Sequence, residues 1–215
     1  METRFSSLED RLVILENKNP TIASLEADLC DAQQHISTLQ NENNIRDQFA
    51  RMNDVEISGI PITNGENLFN ILHSISAKVG LTLEDRDLDS IQRVRRLERR
   101  EGAPGSTTLD SRVPAIVVKF SRRLVKDQLL SSVRARRGLT TADIGVAGPA
   151  LNVYVGDHLT PGNKILLKKA RKLKMDLHYA YLWVRDCKIF MRRSDKTPVI
   201  RIQSDSDLNK LNKSK

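Results

Sequence analysis

Four histidines and two cysteines are the residues of this 215-residue chain best suited to acid–base or nucleophilic chemistry. His35, His73, His158 and His178 are scattered, and none stands at metal-ligand spacing from Cys30 or Cys187. Asp157 beside His158 has the composition of a base with its orienting carboxylate, but the pair adjoins a helix start and has no evident nucleophile. Cys187 and His178 could be assembled into a dyad, yet Cys187 falls between two alternating runs, where a hairpin turn is expected to expose it. Gly102–Thr108 lacks the lysine of a phosphate-binding loop, and Gly145–Gly148 reads as a plain linker. The residues predict no enzyme, no cofactor and no metal.

The chemistry that the spacing favours instead is contact with a polyanion. The formal charge is +8, but its distribution is uneven. Residues 1–50 hold four basic groups (Arg4, Arg11, Lys18, Arg46) against nine acidic ones, a balance of −5, so the rest of the chain carries +13. Lys164, Lys168, Lys169, Arg171, Lys172 and Lys174 lie on a segment that Thr160 and Pro161 start as a helix, with Ile165, Leu166, Ala170 and Leu173 on its apolar face. Two alternating runs follow, Tyr179–Arg185 and Lys188–Arg193, hinged at Asp186–Cys187. They bring Tyr181, Arg185 and the sole tryptophan, Trp183, beside the basic helix. Cations for phosphate next to aromatic faces suit single-stranded RNA or DNA. Trp183 is expected in the core, since the chain is poor in aromatics; Tyr181 could serve either role. Arg93, Arg95 and Arg96 on a strand, Arg122 and Arg123 at a helix start, and Arg134, Arg136 and Arg137 at a helix end are further candidates. The last three equally suit the negative end of their own helix dipole.

Residues 1–50 read as a helical arm that must be shared between chains. Leu8, Leu12 and Leu15, then Ile22, Leu25, Leu29, Ile36, Leu39 and Asn43, follow the a/d rhythm of a coiled coil. A stammer separates the two series at Asn19–Pro20, which predicts a kink or a fresh helix capped by Asn19. A continuous arm would run about 68 Å at 1.5 Å per residue, and its seam needs partner helices, as a dimer or trimer.

Residues 51–157 give a β-α-β-β-α-β order. The strands are marked by Val55–Ile60, Leu88–Leu97, Ile116–Phe120 and Asn152–Val155, and the helices by Leu68–Val79 and Leu124–Val133. This is the split βαβ pattern of ferredoxin-like and RNA-recognition-motif domains. Residues 158–211 form a small α-β-β-β domain, with strand Val199–Ile202 and a short helix from Asp205, and 212–215 a disordered tail. The fold class is α+β. No apolar run approaches the roughly 18 residues of a membrane span. With two unpaired cysteines, this predicts a soluble intracellular protein of cytoplasm or nucleus.

Several runs together carry a resemblance. They are Val55-Glu56-Ile57-Ser58-Gly59-Ile60, the Lys119–Asp127 segment, Arg136-Arg137-Gly138-Leu139 and Val153-Tyr154-Val155. His158-Leu159-Thr160-Pro161, Leu166–Arg171 and Trp183-Val184-Arg185-Asp186 complete the set. Over about residues 50–203 the chain resembles the baculovirus few-polyhedra (FP) protein family and the related first-open-reading-frame proteins of LINE-type retrotransposons. The resemblance implies an oligomeric binder of single-stranded nucleic acid, RNA before DNA, with nucleic-acid chaperone activity in a ribonucleoprotein. The N-terminal zinc-binding finger of insect retroelement relatives has no Cys/His cluster here to form it. A truncated copy, a domesticated host gene and a member without the finger stay open. The alternative is a coiled-coil scaffold or assembly protein acting through protein partners, as the FP side of the resemblance implies.

Overall fold

A computed structural model describes residues 2–94 and 113–213, with side chains placed from Ile22 to Val94 and from Val113 to Asn212. The chain divides into two compact units, Met1–Arg46 and Asp47–Lys215. Helix α1 spans Glu2–Ala50 and supplies the whole of the first unit. It runs through Pro20 as a single element, so no fresh helix starts at Asn19. One proline removes one donor and crowds one carbonyl, and the hydrogen bonds of the neighbouring turns carry the helix past it.

In the second unit the expected element order is observed: β1 (Asp54–Ser58), α2 (Leu68–Lys78), β2 (Leu88–Val94), β3 (Ala115–Phe120), α3 (Arg123–Arg136) and β4 (Tyr154–Asp157). The strands close into one antiparallel sheet of order β2-β3-β1-β4. Alternation puts Val55 and Ile57 of β1, and Ile116, Val118 and Phe120 of β3, on one face. That face buries against Leu72 and Ile75 of α2 and Leu129 of α3. Asn67 caps α2 by accepting a hydrogen bond from the Asn70 amide, and Gly80 follows its end at φ +76°. Gly59, just past β1, is fixed more stringently. Its φ is +93°, and a Cβ there would lie 2.1 Å from the Asn152 carbonyl oxygen.

The remaining elements build a second sheet. Helix α4 (Pro161–Asp176) begins at Thr160, whose hydroxyl accepts from the Asn163 amide, with Pro161 in its first turn. Strands β5 (Tyr181–Arg185), β6 (Lys188–Arg192) and β7 (Ile200–Ile202) pair antiparallel in that order, and α5 (Asp205–Lys213) follows. Leu166 and Ala170 of α4 bury against Ile189, Met191, Ile202 and Leu208. Ile165, expected on that apolar face, is exposed. It lies one residue, about 100° of helical rotation, from Leu166, and the narrow stripe that faces the sheet does not reach it.

Buried polar contacts join the two sheets. Lys126 on α3 is wholly buried; its ammonium donates to Asp157 at the end of β4 (2.5 Å) and to the Met52 carbonyl (2.8 Å). The hairpin between β5 and β6 turns at Asp186 (φ 53°) and Cys187 (φ 57°), the left-handed pair that a two-residue hairpin demands. That turn folds back on the same place, with Cys187 Sγ 3.7 Å from Asp157 and Arg123 3.4 Å from Asp186. Cys187 is therefore buried, not exposed as its turn position suggested. Gln48 completes the join. Its side chain accepts from the Thr160 amide (3.0 Å) and from Asn163 (2.8 Å), and donates to the His158 carbonyl (3.0 Å).

Candidate functional site

Helix α4 turns Leu166 and Ala170 inward, so its cations are forced to the remaining faces. Two of them are matched: Lys164 pairs with Glu56 at 2.5 Å and Lys169 with Asp205 at 2.6 Å. Lys168, Arg171, Lys172 and Lys174 make no ion pair among the described residues. Lys168 and Lys172 stand four apart, a like-charged arrangement that opposes the helix by a few tenths of a kcal/mol. Such a set is what a polyanion would neutralise.

The arginines of the first sheet are placed differently. Arg93 fits the fold rather than a surface. Its guanidinium donates to both Glu66 oxygens (2.5 and 2.6 Å), and to the Ile60, Pro61 and Pro114 carbonyls. These five bonds use all five guanidinium N–H groups, leaving no donor for phosphate and correcting the reading of Arg93 as a nucleic-acid contact. Arg95 and Arg96 lie outside the described residues. Arg122 pairs with the buried carboxylate of Asp87, and this partner holds the Asp87 pKa below its ordinary value. Arg123 bridges Asp127 and Asp186, Arg134 stands 3.9 Å from Asp157, and Arg136 meets Asp143 and the Lys78 carbonyl. Arg137 is exposed, with φ 55° and no ion pair among the described residues. Tyr181 is exposed and hydrogen-bonded to Asp195, which raises its pKa. Arg185 is exposed, and its one ion pair among the described residues is with Asp186 at 4.0 Å.

Trp183 is not part of the second core. Its neighbours Leu182 and Val184 pack there, so alternation turns Trp183 to the opposite face, where it stacks with Phe190 at a centroid distance of 5.7 Å. Phe190, an aromatic of the same hairpin in the sequence, shares that face with Lys188 and Arg201, and those two cations were not singled out from the sequence. The alternation of both runs was the signal that could have found them.

On the arm, Ile22, Leu25, Leu29, Ile36 and Leu39 are between 51% and 63% exposed, and Asn43 is exposed as well. Leu8, Leu12 and Leu15 belong to α1, but their side chains lie outside the described residues.

The residues that suggested acid–base chemistry are divided among separate contacts. Asp157 serves Lys126, while His158 lies 3.4 Å from both Asp54 and Arg51. Burial pushes the Cys187 thiol up to about 12, which keeps it protonated at neutral pH and removes its nucleophilic form. Among the described residues no group of three or more His, Cys, Asp or Glu side chains could hold a metal, and no helix is long and apolar enough to cross a membrane.

The part from Thr160 onward is thus a capped basic helix on a three-stranded antiparallel sheet, followed by a short helix. Residues 160–212 match the family model described as Baculovirus FP protein domain 2. The match starts on the Thr160 cap and ends within α5, so it spans these elements and about a quarter of the chain. Over that segment the chain is similar to the baculovirus FP family. Comparison with curated proteins gives no match for the chain.

Proposed function

We propose that this chain is an FP-type assembly protein whose helical arm joins copies of the chain through an apolar coiled-coil seam and presents the second unit to protein partners. The observation that carries this reading is the row Ile22, Leu25, Leu29, Ile36 and Leu39, each more than half exposed on one 49-residue helix. Full burial of such a side chain stabilises by about 1.5–3 kcal/mol, so five of them at coiled-coil spacing give association a strong drive. The FP domain at residues 160–212 supports the same reading. Sedimentation equilibrium of the full chain tests it. A dimer or trimer is expected, and Leu25→Glu/Leu29→Glu dissociates it while the circular dichroism of the second unit's sheets persists. A wild-type monomer at every concentration would remove the proposal's basis.

A second reading, from the basic side of the chain, is binding of single-stranded nucleic acid, RNA before DNA, as in retroelement ribonucleoproteins. It is favoured by Lys168, Arg171, Lys172 and Lys174, which lack ion pairs among the described residues. A β2-β3-β1-β4 sheet like that of an RNA-recognition motif also supports it. Its test is the salt dependence of oligonucleotide affinity. Lys168→Ala/Arg171→Ala/Lys172→Ala should reduce the magnitude of the slope of log K against log salt by about 2, since each phosphate contact in a single strand contributes roughly 0.7. An unchanged slope would take α4 out of the interface.

A further inference from the structure

The second sheet has two faces, and only one is accounted for by its core. Leu182 and Val184 on β5, Ile189 and Met191 on β6, and Ile200 and Ile202 on β7 all pack inward with α4 and α5. Alternation therefore assigns Tyr181, Trp183, Arg185, Lys188, Phe190, Arg192 and Arg201 to the other face. Register arranges these seven in rows. Tyr181 lies opposite Arg192, Trp183 opposite Phe190, which in turn faces Arg201, and Arg185 opposite Lys188. The rows succeed one another at about 7 Å, two residues of strand.

The first row is internally satisfied. Tyr181 bonds Asp195, and Arg192 donates to the Thr197 carbonyl at 2.9 Å and to the Asp195 carbonyl. The other two rows are not. Trp183 and Phe190 form an offset pair with 22° between their planes, both half-buried. Around them stand Arg201 and Lys188, with no ion pair among the described residues, and Arg185, whose nearest carboxylate is 4.0 Å away. None of the seven positions is acidic. A single core cannot explain a paired aromatic centre on the solvent side of a sheet ringed by cations.

We infer that this face is a stacking site for unpaired bases of a single-stranded nucleic acid, with Trp183 and Phe190 receiving a base and Arg185, Lys188 and Arg201 receiving phosphates. The inference rests on the nucleic-acid reading above and adds a second surface to it, separate from the cations of α4. Charge complementarity selects a polyanion, and the flat aromatic pair selects one that carries rings of its own. An acidic peptide would meet the cations but would leave the tryptophan without a stacking partner.

Because Trp183 is the only tryptophan in the chain, its emission reads this face directly. The full chain is titrated with oligouridylate, and in parallel with inorganic polyphosphate and with polyglutamate, while anisotropy of a labelled oligonucleotide measures total binding. Oligouridylate should quench Trp183, and the two base-free polyanions should not. Phe190→Ala should weaken oligonucleotide binding by about tenfold, the scale of one lost base–aromatic stack. Arg201→Glu, at an exposed position that does not threaten the fold, should weaken it as well. The α4 triple variant should lose affinity yet reach the same quenching at saturation. Binding without quenching, with affinity unchanged in Arg201→Glu and Phe190→Ala, would overturn this inference and leave the nucleic-acid reading standing. Absence of any binding at low salt would remove both. Equal quenching by polyglutamate would assign the face to an acidic protein and overturn the inference.

Discussion

Lys126 offers the sharpest quantitative test of how the second unit is held together. Its side chain is wholly buried, and Asp157, 2.5 Å away, has a side chain only 2% exposed. Replacing Lys126 with Met keeps the length and apolar stem but leaves a buried carboxylate without its cation. Breaking such a pair from one side costs about 3–5 kcal/mol. Two neighbours temper that cost: Arg134 at 3.9 Å from one oxygen, and the Cys187 thiol at 3.7 Å from the other. The lower end, about 3 kcal/mol, is therefore expected, equivalent to roughly 6–12 °C in Tm for a unit of this size. Urea unfolding followed by Trp183 emission measures it, since the probe sits in the same unit. The midpoint should fall with the slope unchanged. Lys126→Met/Asp157→Leu removes both charges and should recover most of the loss, because a buried pair replaced by apolar groups is close to neutral. A single variant within about 1 kcal/mol of wild type, or a double variant as unstable as the single, would refute the reasoning.

Two further predictions concern thiols and protons. A maleimide at neutral pH should label Cys30, which is exposed, and leave Cys187 untouched until the second unit unfolds; mass spectrometry after brief labelling decides, and rapid native labelling of Cys187 would contradict its burial. Acid should destabilise the second unit below about pH 4, because hydrogen bonds from Thr140 and the charge of Lys78 hold Asp143 at about 2, against an ordinary value of 3.8. Glu66 and Asp87 are shifted in the same direction by Arg93 and Arg122. A lowered folded-state pKa lends stability that is complete above the unfolded value and is lost as pH falls towards the folded one. The urea midpoint should therefore drop between about pH 4 and pH 2, and less so in Asp143→Asn; a midpoint that holds flat over that range would count against these pairs.

Read locally, the chain is informative where spacing alone decides. The Thr160–Pro161 start of α4, the order of strands and helices between residues 54 and 157, and the hairpin around Asp186–Cys187 follow from caps, periodicity and breakers. Those signals act over a few residues of backbone, and the structure reproduces them with shifts of at most three residues at the described ends. Strand faces were harder. The run Tyr181–Arg185 has apolar or aromatic residues in both phases, so hydrophobicity alone could not say whether Leu182 and Val184 or Tyr181 and Trp183 would face the core. Packing against α4 selected the aliphatic phase.

The fate of the charges was the least legible. Composition places thirteen net positive charges outside the arm, but a count cannot tell a charge that is free from one that is used. Arg93 looked like its neighbours in the sequence and turned out to clamp Glu66 and three carbonyls contributed by residues 60, 61 and 114. Lys126 carried no signal of burial at all, because its partners Met52 and Asp157 are distant in the chain.

By itself, then, the sequence determined the elements, their order, the heptad rhythm of the arm and the surplus of positive charge, since each is a property of neighbouring residues or of composition. Tertiary structure decided which cations are neutralised, which thiol is shielded and which face of the second sheet carries Trp183. Those outcomes depend on side chains that meet only when strands pair and helices dock, across separations that no local pattern encodes.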